Sequence, residues 1–196
     1  MNERSKQRRV DDRRLEILAS AGGAIRKLGL RGAGMREIAE AAGLSAGNLY
    51  YYFRSKEELV YFCQVRTLDA LIDVAKTAAA SQGGARVQLG HLIEGHLRVL
   101  LDSRTAGAVH LEFDDLPPPL YGKLVRKRDR YEKLVRALIV DGQARAEVRP
   151  GNAKLKAFAL LGALNWSARW FHPGGVYSVG DVALSFADQL LGGLLS

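Results

Sequence analysis

The chain has 196 residues, 47% of them hydrophobic, so it can bury a sizeable core as one large domain or two small ones. Its formal net charge of +8 suits a polyanionic partner, although charge alone does not distinguish a nucleic acid from a membrane surface. The single cysteine, Cys63, excludes an intramolecular disulfide and agrees with a reducing cytoplasm, and no apolar run of about 18 residues predicts a membrane span.

The N-terminal segment predicts an arm followed by a helix. Residues 1–10 are basic with almost nothing to bury, so we expect a mobile arm that lies in a minor groove of DNA or is simply solvated. No apolar segment follows it, which argues against a signal peptide. Apolar residues then recur on one face from Asp12 to Leu28, which predicts a first helix that Gly29 stops.

Residues 34–59 (GMREIAEAAGLSAGNLYYYFRSKEEL) predict a helix-turn-helix and the start of a longer helix. Met35–Ala42 has the spacing of one buried helical face, and Gly43 ends that helix because glycine adopts left-handed backbone angles easily. Ser45 is a good N-cap for the second helix. The residues of its buried face are Leu49, Tyr52 and Phe53. In such a motif the second helix can enter the major groove.

The outward face of this second helix favours DNA binding. Its first residues are small and can approach base edges closely. Tyr50 and Tyr51 offer rings to thymine methyl groups and hydroxyls to phosphates. The alternative is an ordinary helical corner with surface tyrosines and lysines.

Residues 15–59, and GLSAGNLYYYFRSKEEL in particular, resemble the DNA-binding domain of the TetR family of transcriptional regulators. The resemblance implies base-facing positions at Arg36, Ala46, Gly47 and Tyr50. It implies phosphate contacts from Asn48, Tyr51, Tyr52 and Lys56, and we add the N-cap Ser45 to the DNA-binding set. Gly34 stands where the family usually has a capping threonine that touches a phosphate, so a backbone amide replaces that contact here or it is absent.

The rest of the chain predicts helices only. Ser55 caps a helix to Ala80, with Glu58 completing a capping box, and its apolar residues occupy several faces, as expected of a connector between two bodies. The other predicted helices are 87–101, 105–113, 119–146, 153–171 (N-cap Asn152) and 179–195 (N-cap Ser178). The sequence therefore predicts an all-α protein of about nine helices.

The last two helices are apolar on most sides, which requires burial in a larger body. Pairing with the same helices of a second copy is economical and places two recognition helices about one DNA turn apart, on a palindromic operator. A central core within a monomer is the alternative.

Polar and aromatic side chains among apolar neighbours mark a possible effector site in the C-terminal half. The candidates are His96, His110, Tyr131, Trp166, Arg169 and Trp170. A histidine on an apolar helix is usually a core residue, and the two tryptophans fit dimer packing equally well. No metal-ligand spacing, nucleophile elbow or phosphate loop is present, so metal binding, a cofactor and catalysis are disfavoured.

The segment ALNWSARWFHPGG resembles a TetR branch that controls fatty-acid, sterol and aromatic-acid breakdown and whose members respond to acyl-coenzyme A thioesters. Arg169, between two tryptophans, and the basic residues 126–136 could supply stacking surfaces and cations to such a ligand. A solvated basic face is the alternative for 126–136.

Together these features predict a cytoplasmic, homodimeric TetR-type repressor that a small effector, an acyl-coenzyme A thioester, releases from its operator. Residues 1–54 are expected to bind double-stranded DNA, and residues 55–196 to bind the effector and dimerise, with helix 55–80 as the connector. Alternatives are a sensor of hydrophobic drugs that controls efflux and a ligand-independent DNA-binding protein.

Overall fold

The computed structural model describes residues 3–101 and 116–196, and within these the side chains of all but residues 3, 4, 6, 7 and 22–31. This part of the chain is helical, which confirms the all-α prediction. Its eight helices are α1 (Glu3–Gly32), α2 (Met35–Ala41), α3 (Ala46–Tyr52), α4 (Lys56–Ala80), α5 (Gly84–Leu101), α6 (Pro118–Ala144), α7 (Ala153–Trp170) and α8 (Val179–Leu194). The helix predicted at 105–113 lies outside the described residues.

The first helix is longer than predicted at both ends. It begins at Glu3, so the prediction of an arm over residues 1–10 is wrong for residues 3–10, and it ends at Gly32 rather than before Gly29. Residues 3–10 contain no glycine or proline, so nothing in them stops a helix. A glycine within a helix costs only about 1 kcal/mol relative to alanine, which is too little to end α1 at Gly29.

The turn between α2 and α3 forms as predicted. Gly43 has φ +67, and the amides of Gly43 and Leu44 donate to Glu40 O at 3.0 Å and Ala39 O at 2.8 Å, which closes the C-terminus of α2. Ser45 Oγ accepts a hydrogen bond from Asn48 N at 3.2 Å and caps α3. These local bonds fix where the second helix of the motif starts.

Helix α4 connects the N-terminal helices to the C-terminal body, and its buried residues lie on several faces because it packs against both α5 and α6. Ser55 Oγ caps it by accepting from Glu58 N at 3.3 Å. The predicted capping box is only half correct, since the Glu58 carboxylate accepts from Arg54 N at 2.9 Å. The other oxygen of that carboxylate accepts from Arg14 Nη2 at 2.8 Å.

Helices α5–α8 form the C-terminal body around α5, which contacts α4, α6, α7 and α8. Its side chains Leu89, Leu92 and Ile93 are fully buried. Asn152 caps α7, and Ser178 forms a capping box with Asp181 at the start of α8, as the sequence predicted for both caps. A bridge between Val148 and Leu195 ties the α6–α7 loop to the chain end.

The turn after α6 contains a residue with left-handed backbone angles, Ala146, at φ +56. A Cβ atom is unfavourable there by about 1 kcal/mol, so we expect Ala146→Gly to stabilise the protein by about 0.5–1 kcal/mol. Urea denaturation measures the change. The matched control is Ala144→Gly, at the end of α6, which we expect to destabilise by about 0.5–1 kcal/mol. Equal effects of the two substitutions would contradict this account.

Candidate nucleic-acid interface and effector cleft

None of the predicted DNA-binding side chains is buried. On α3, Tyr50 is 48% exposed and Tyr51 is 79% exposed, whereas Leu49 on the same helix and Phe53 directly after it are fully buried. The exposed members of the set are Arg36, Ser45, Gly47, Asn48, Tyr50 and Tyr51, and the half-buried ones are Ala46, Tyr52 and Lys56. The buried face anchors the helix and leaves the opposite face open, as a groove-reading helix requires.

Two further features of the DNA-binding candidates are a ring contact on α3 and the residue that caps α2. The Tyr51 and Tyr52 rings meet edge to face, with centroids 5.1 Å apart, so the half-buried Tyr52 supports the exposed Tyr51. Gly34 caps α2 in an extended conformation without a side-chain hydrogen bond. A backbone-amide phosphate contact at Gly34 therefore remains a prediction.

Sequence reasoning missed Arg14, which holds the N-terminal helices together. Its Nε donates to Tyr52 O at 2.9 Å, and its Nη2 donates to Glu58 Oε1 at 2.8 Å. The guanidinium also lies over the rings of Phe53 and Phe62, 5.1 and 5.4 Å from their centroids. Its partners are 38 and 44 residues away in sequence, so no local pattern indicates the contact.

Two of the predicted effector residues, His96 and Tyr131, meet in the C-terminal body. His96 is fully buried on α5, and its Nδ1 lies 2.7 Å from the Tyr131 hydroxyl. Burial raises the pKa of Tyr131 above its ordinary value, so the hydroxyl stays neutral. Tyr131 also lines a cleft, whereas the fully buried His96 does not.

The cleft that contains Tyr131 has a volume of about 680 Å³ and lies between α4, α6 and α7. Its apolar and aromatic lining comprises Leu68, Tyr121, Val125, Phe158 and Leu161. Four cations, which we call the cationic rim, also line it: Arg128, Lys133, Arg136 and Lys154. Two carboxylates partly offset their charge: Asp129 and Glu132.

Two polar groups in the cleft bear on what it can hold. Arg136 Nε lies 3.2 Å from Glu132 Oε1 on the same helix, so the two side chains form an ion pair. Among the described residues, the buried Asn165 Oδ1 has no hydrogen-bond donor. A buried acceptor without a donor is uncommon in native proteins, so a ligand that donates a hydrogen bond would fit here.

Trp166, Arg169 and Trp170 of the predicted effector set do not line this cleft. Trp166 is 65% exposed, and Arg169 and Trp170 are exposed as well, with the Trp170 ring 6.2 Å from that of Phe186 on α8. His110 lies outside the described residues. A second cleft, of about 690 Å³, lies between Arg98 and residues 171–181, and none of the predicted effector residues that the structure describes lines it. The effector contacts predicted for α7 remain untested, and their exposure favours the alternative of packing between subunits.

Helices α7 and α8 carry an exposed apolar surface. We define the α7–α8 face by its large exposed side chains, Leu155, Phe158, Trp166, Trp170 and Leu184. Leu184 is 75% exposed. An apolar surface of this kind marks an interaction site more often than a solvated one.

No helix in the described residues has both the length and the apolar composition needed to cross a membrane. With the open face of α3 and a helical C-terminal body, the chain has the architecture of a helix-turn-helix DNA-binding regulator.

Comparison with known proteins agrees with that class. Residues 17–61 match the family model described as bacterial regulatory proteins, tetR family, and residues 82–194 match the tetracyclin repressor-like C-terminal domain. The chain belongs to the TetR family, and it is a DNA-binding transcriptional regulator.

Three proteins are similar to this chain, the last of them in fold alone. The HTH-type transcriptional repressor KstR2 of Rhodococcus jostii (strain RHA1) is 31% identical over 191 residues, covering 94% of this chain and 92% of its own. The regulator PfmR from Thermus thermophilus superposes with a TM-score of 0.81 at 29% identity, covering 90% of this chain and 97% of its own. AibR, in complex with isovaleryl coenzyme A and operator DNA, has a TM-score of 0.75 at 20% identity, covering 91% and 96%.

Proposed function

We propose that this protein is a repressor that binds a palindromic operator as a homodimer and is released by a small effector. Residues 1–54 form the DNA-binding domain in this proposal, and residues 55–196 bind the effector and dimerise. The observation that carries the proposal is the division of α3 into a fully buried side, with Leu49, and an open side, with Tyr50 and Tyr51. A short helix anchored in this way can insert its open side into a major groove.

The α7–α8 face supports the homodimer. A soluble monomer rarely leaves several large apolar side chains exposed on adjacent helices, and a two-fold axis would cover the same face of both copies at once. Two recognition helices related by that axis would read half-sites about 34–36 Å apart, one turn of the duplex.

The cleft between α4, α6 and α7 supports an acyl-coenzyme A thioester of lipid, sterol or aromatic-acid breakdown as the effector. Such a ligand joins an apolar acyl group to several phosphates, and the cleft joins an apolar lining to the cationic rim. The chemistry agrees with the ligand in the AibR complex, although the likeness to AibR at 20% identity supports the fold alone. A sensor of neutral hydrophobic drugs would have no need of the four cations.

In this proposal the effector releases the operator by moving α4. Leu68 on α4 lines the cleft, and the neighbouring Asp69 forms an ion pair with Lys127 on α6. A ligand between these helices would change the position of α4, and with it the separation of the two recognition helices. It needs to bind the released state only a few kcal/mol more tightly than the operator-bound state to reverse occupancy.

The proposal is tested by selecting duplexes from a random-sequence library with the wild-type protein and then adding candidate effectors. We expect inverted-repeat sequences, and release by acyl-coenzyme A esters but not by coenzyme A alone. Release only by hydrophobic dyes would indicate a drug sensor, and no release by either would indicate a ligand-independent DNA-binding protein. Failure to select any duplex would contradict operator binding itself.

The cationic rim gives a second test, through Arg136→Met. Removing this cation should raise the acyl-coenzyme A concentration needed for half-maximal operator release about tenfold, because a charge-assisted hydrogen bond is lost. Fluorescence anisotropy of labelled operator measures the release. The matched control is Arg86→Met, an exposed arginine on α5 outside the cleft lining. Equal release curves for the two variants would contradict the assignment of the rim.

A further inference from the structure

The recognition helix α3 depends on other helices for its orientation. It has only seven residues, and an isolated helix of that length is unstable in water. It also has no basic residue in its last turn, where a cation would interact favourably with the free carbonyl groups and with the helix dipole.

Arg14 supplies that cation from α1. Its Nε donates to Tyr52 O, the carbonyl of the last residue of α3, at 2.9 Å. The side chain of Arg14 is only 19% exposed, so water screens this interaction less than it would screen one at the surface.

Glu58 extends the same contact to α4. Its Oε1 accepts from Arg14 Nη2 at 2.8 Å, and its Oε2 accepts from Arg54 N at 2.9 Å in the turn between α3 and α4. One guanidinium and one carboxylate therefore join α1, the end of α3, the following turn and the first turn of α4. We call this set, Arg14 with Glu58, Tyr52 O and Arg54 N, the Arg14 clamp.

We infer that Arg14 is a positioning residue for operator binding, which acts by holding α3 at a fixed angle to α1 and α4 rather than by touching DNA. Without the clamp, α3 would spend only part of its time in the orientation that fits the groove. Apparent affinity falls in proportion to the fraction of molecules in the competent state. This inference rests on the operator binding proposed above.

The test compares Arg14→Met with Arg13→Met. Arg13 is the neighbouring residue. It forms an exposed pair with Glu16 at 2.6 Å and a weaker interaction with the Tyr52 side chain, so its loss removes the same charge from the same helix and leaves the bonds from Arg14 to Tyr52 O and Glu58 in place. We expect Arg14→Met to weaken binding to the selected duplex about tenfold or more, and Arg13→Met to weaken it much less. Anisotropy titrations at several salt concentrations, well below the unfolding midpoint of each variant, provide the measurement.

The salt dependence separates positioning from direct contact. A lost phosphate contact lowers the slope of log affinity against log salt by about one for each contact, whereas misorientation of the free protein leaves the slope unchanged. We expect the wild-type slope for Arg14→Met. A reduced slope, or an affinity equal to that of Arg13→Met, would overturn the inference.

Glu58→Gln keeps the inference testable if Arg14→Met does not fold. It removes the charge on the carboxylate and retains an oxygen for Arg54 N, so we expect a loss of affinity of several-fold with the wild-type slope. Where both variants fold, the double variant should bind about as weakly as Arg14→Met alone, because both changes break one clamp. Additive losses would contradict the clamp, because they would show that the two residues act separately. If the wild-type protein selects no duplex, the proposed function and this inference both fail. If the wild-type protein binds and Arg14→Met binds with the same affinity, only this inference fails.

Discussion

Replacing Tyr50 with alanine is expected to reduce operator affinity about a hundredfold or more, enough to abolish a gel shift, while the protein stays folded and dimeric. A base-edge contact contributes about 1–3 kcal/mol, and a two-fold dimer loses it twice. The Tyr50 ring is about half exposed on α3, so its removal leaves no cavity in the core. Anisotropy with the selected duplex measures affinity, and circular dichroism measures the unfolding midpoint.

The control for this prediction is Tyr177→Ala, which removes an exposed tyrosine from the loop before α8. It should bind the operator like the wild-type protein. Lys56→Ala should also lose binding, with a reduced salt slope if Lys56 contacts a phosphate. Wild-type gel shifts for both Tyr50→Ala and Lys56→Ala would refute the assignment of α3 as the recognition helix.

Placing a charge on the α7–α8 face through Leu184→Asp is expected to convert the proposed dimer to folded monomers and to reduce operator affinity about a hundredfold or more. The two-fold axis would bury two unpaired carboxylates, and each costs several kcal/mol when it is removed from water. In the isolated subunit Leu184 is largely exposed, so the substitution should leave the unfolding of a monomer nearly unchanged. Sedimentation equilibrium gives the mass, and anisotropy gives the affinity.

Val140→Asp is the matched control, since Val140 is an exposed apolar residue on α6 outside the α7–α8 face. It should remain a dimer. Trp166→Ala distinguishes the two readings of that tryptophan: loss of the dimer would assign it to packing between subunits, and loss of effector response in an intact dimer would assign it to the ligand. A Leu184→Asp variant that stays dimeric with full operator affinity would contradict the proposed interface.

The parts of the fold that could be read from the sequence are those set by short-range chemistry. Gly43 ends α2 because its φ of +67 suits glycine, and Ser45, Asn152 and Ser178 start helices because their side chains accept hydrogen bonds from amides two or three residues later. The long α1 shows the limit of this reasoning. An apolar pattern predicts only the part of a helix that is buried. It gives no signal for the basic N-terminal residues of α1, which extend that helix to Glu3.

The candidate functional residues also differ in how far the sequence predicts their exposure. The open face of α3 could be predicted, because the period of the helix separates Leu49 from Tyr50 within a few residues. The outward orientation of Trp166 could not, because α7 is apolar on several sides and only its packing against α5 and α6 decides which side is covered.

The helix caps, the turn between α2 and α3 and the open face of α3 follow from the amino-acid sequence, since each depends on neighbours within one or two helical turns. The tertiary structure alone decided that Arg14 joins α1, α3 and α4, and that Leu68, Arg136 and Asn165 line one cleft. These groups lie tens of residues apart in the chain. Their contact depends on how whole helices pack, and a local sequence pattern does not predict that packing.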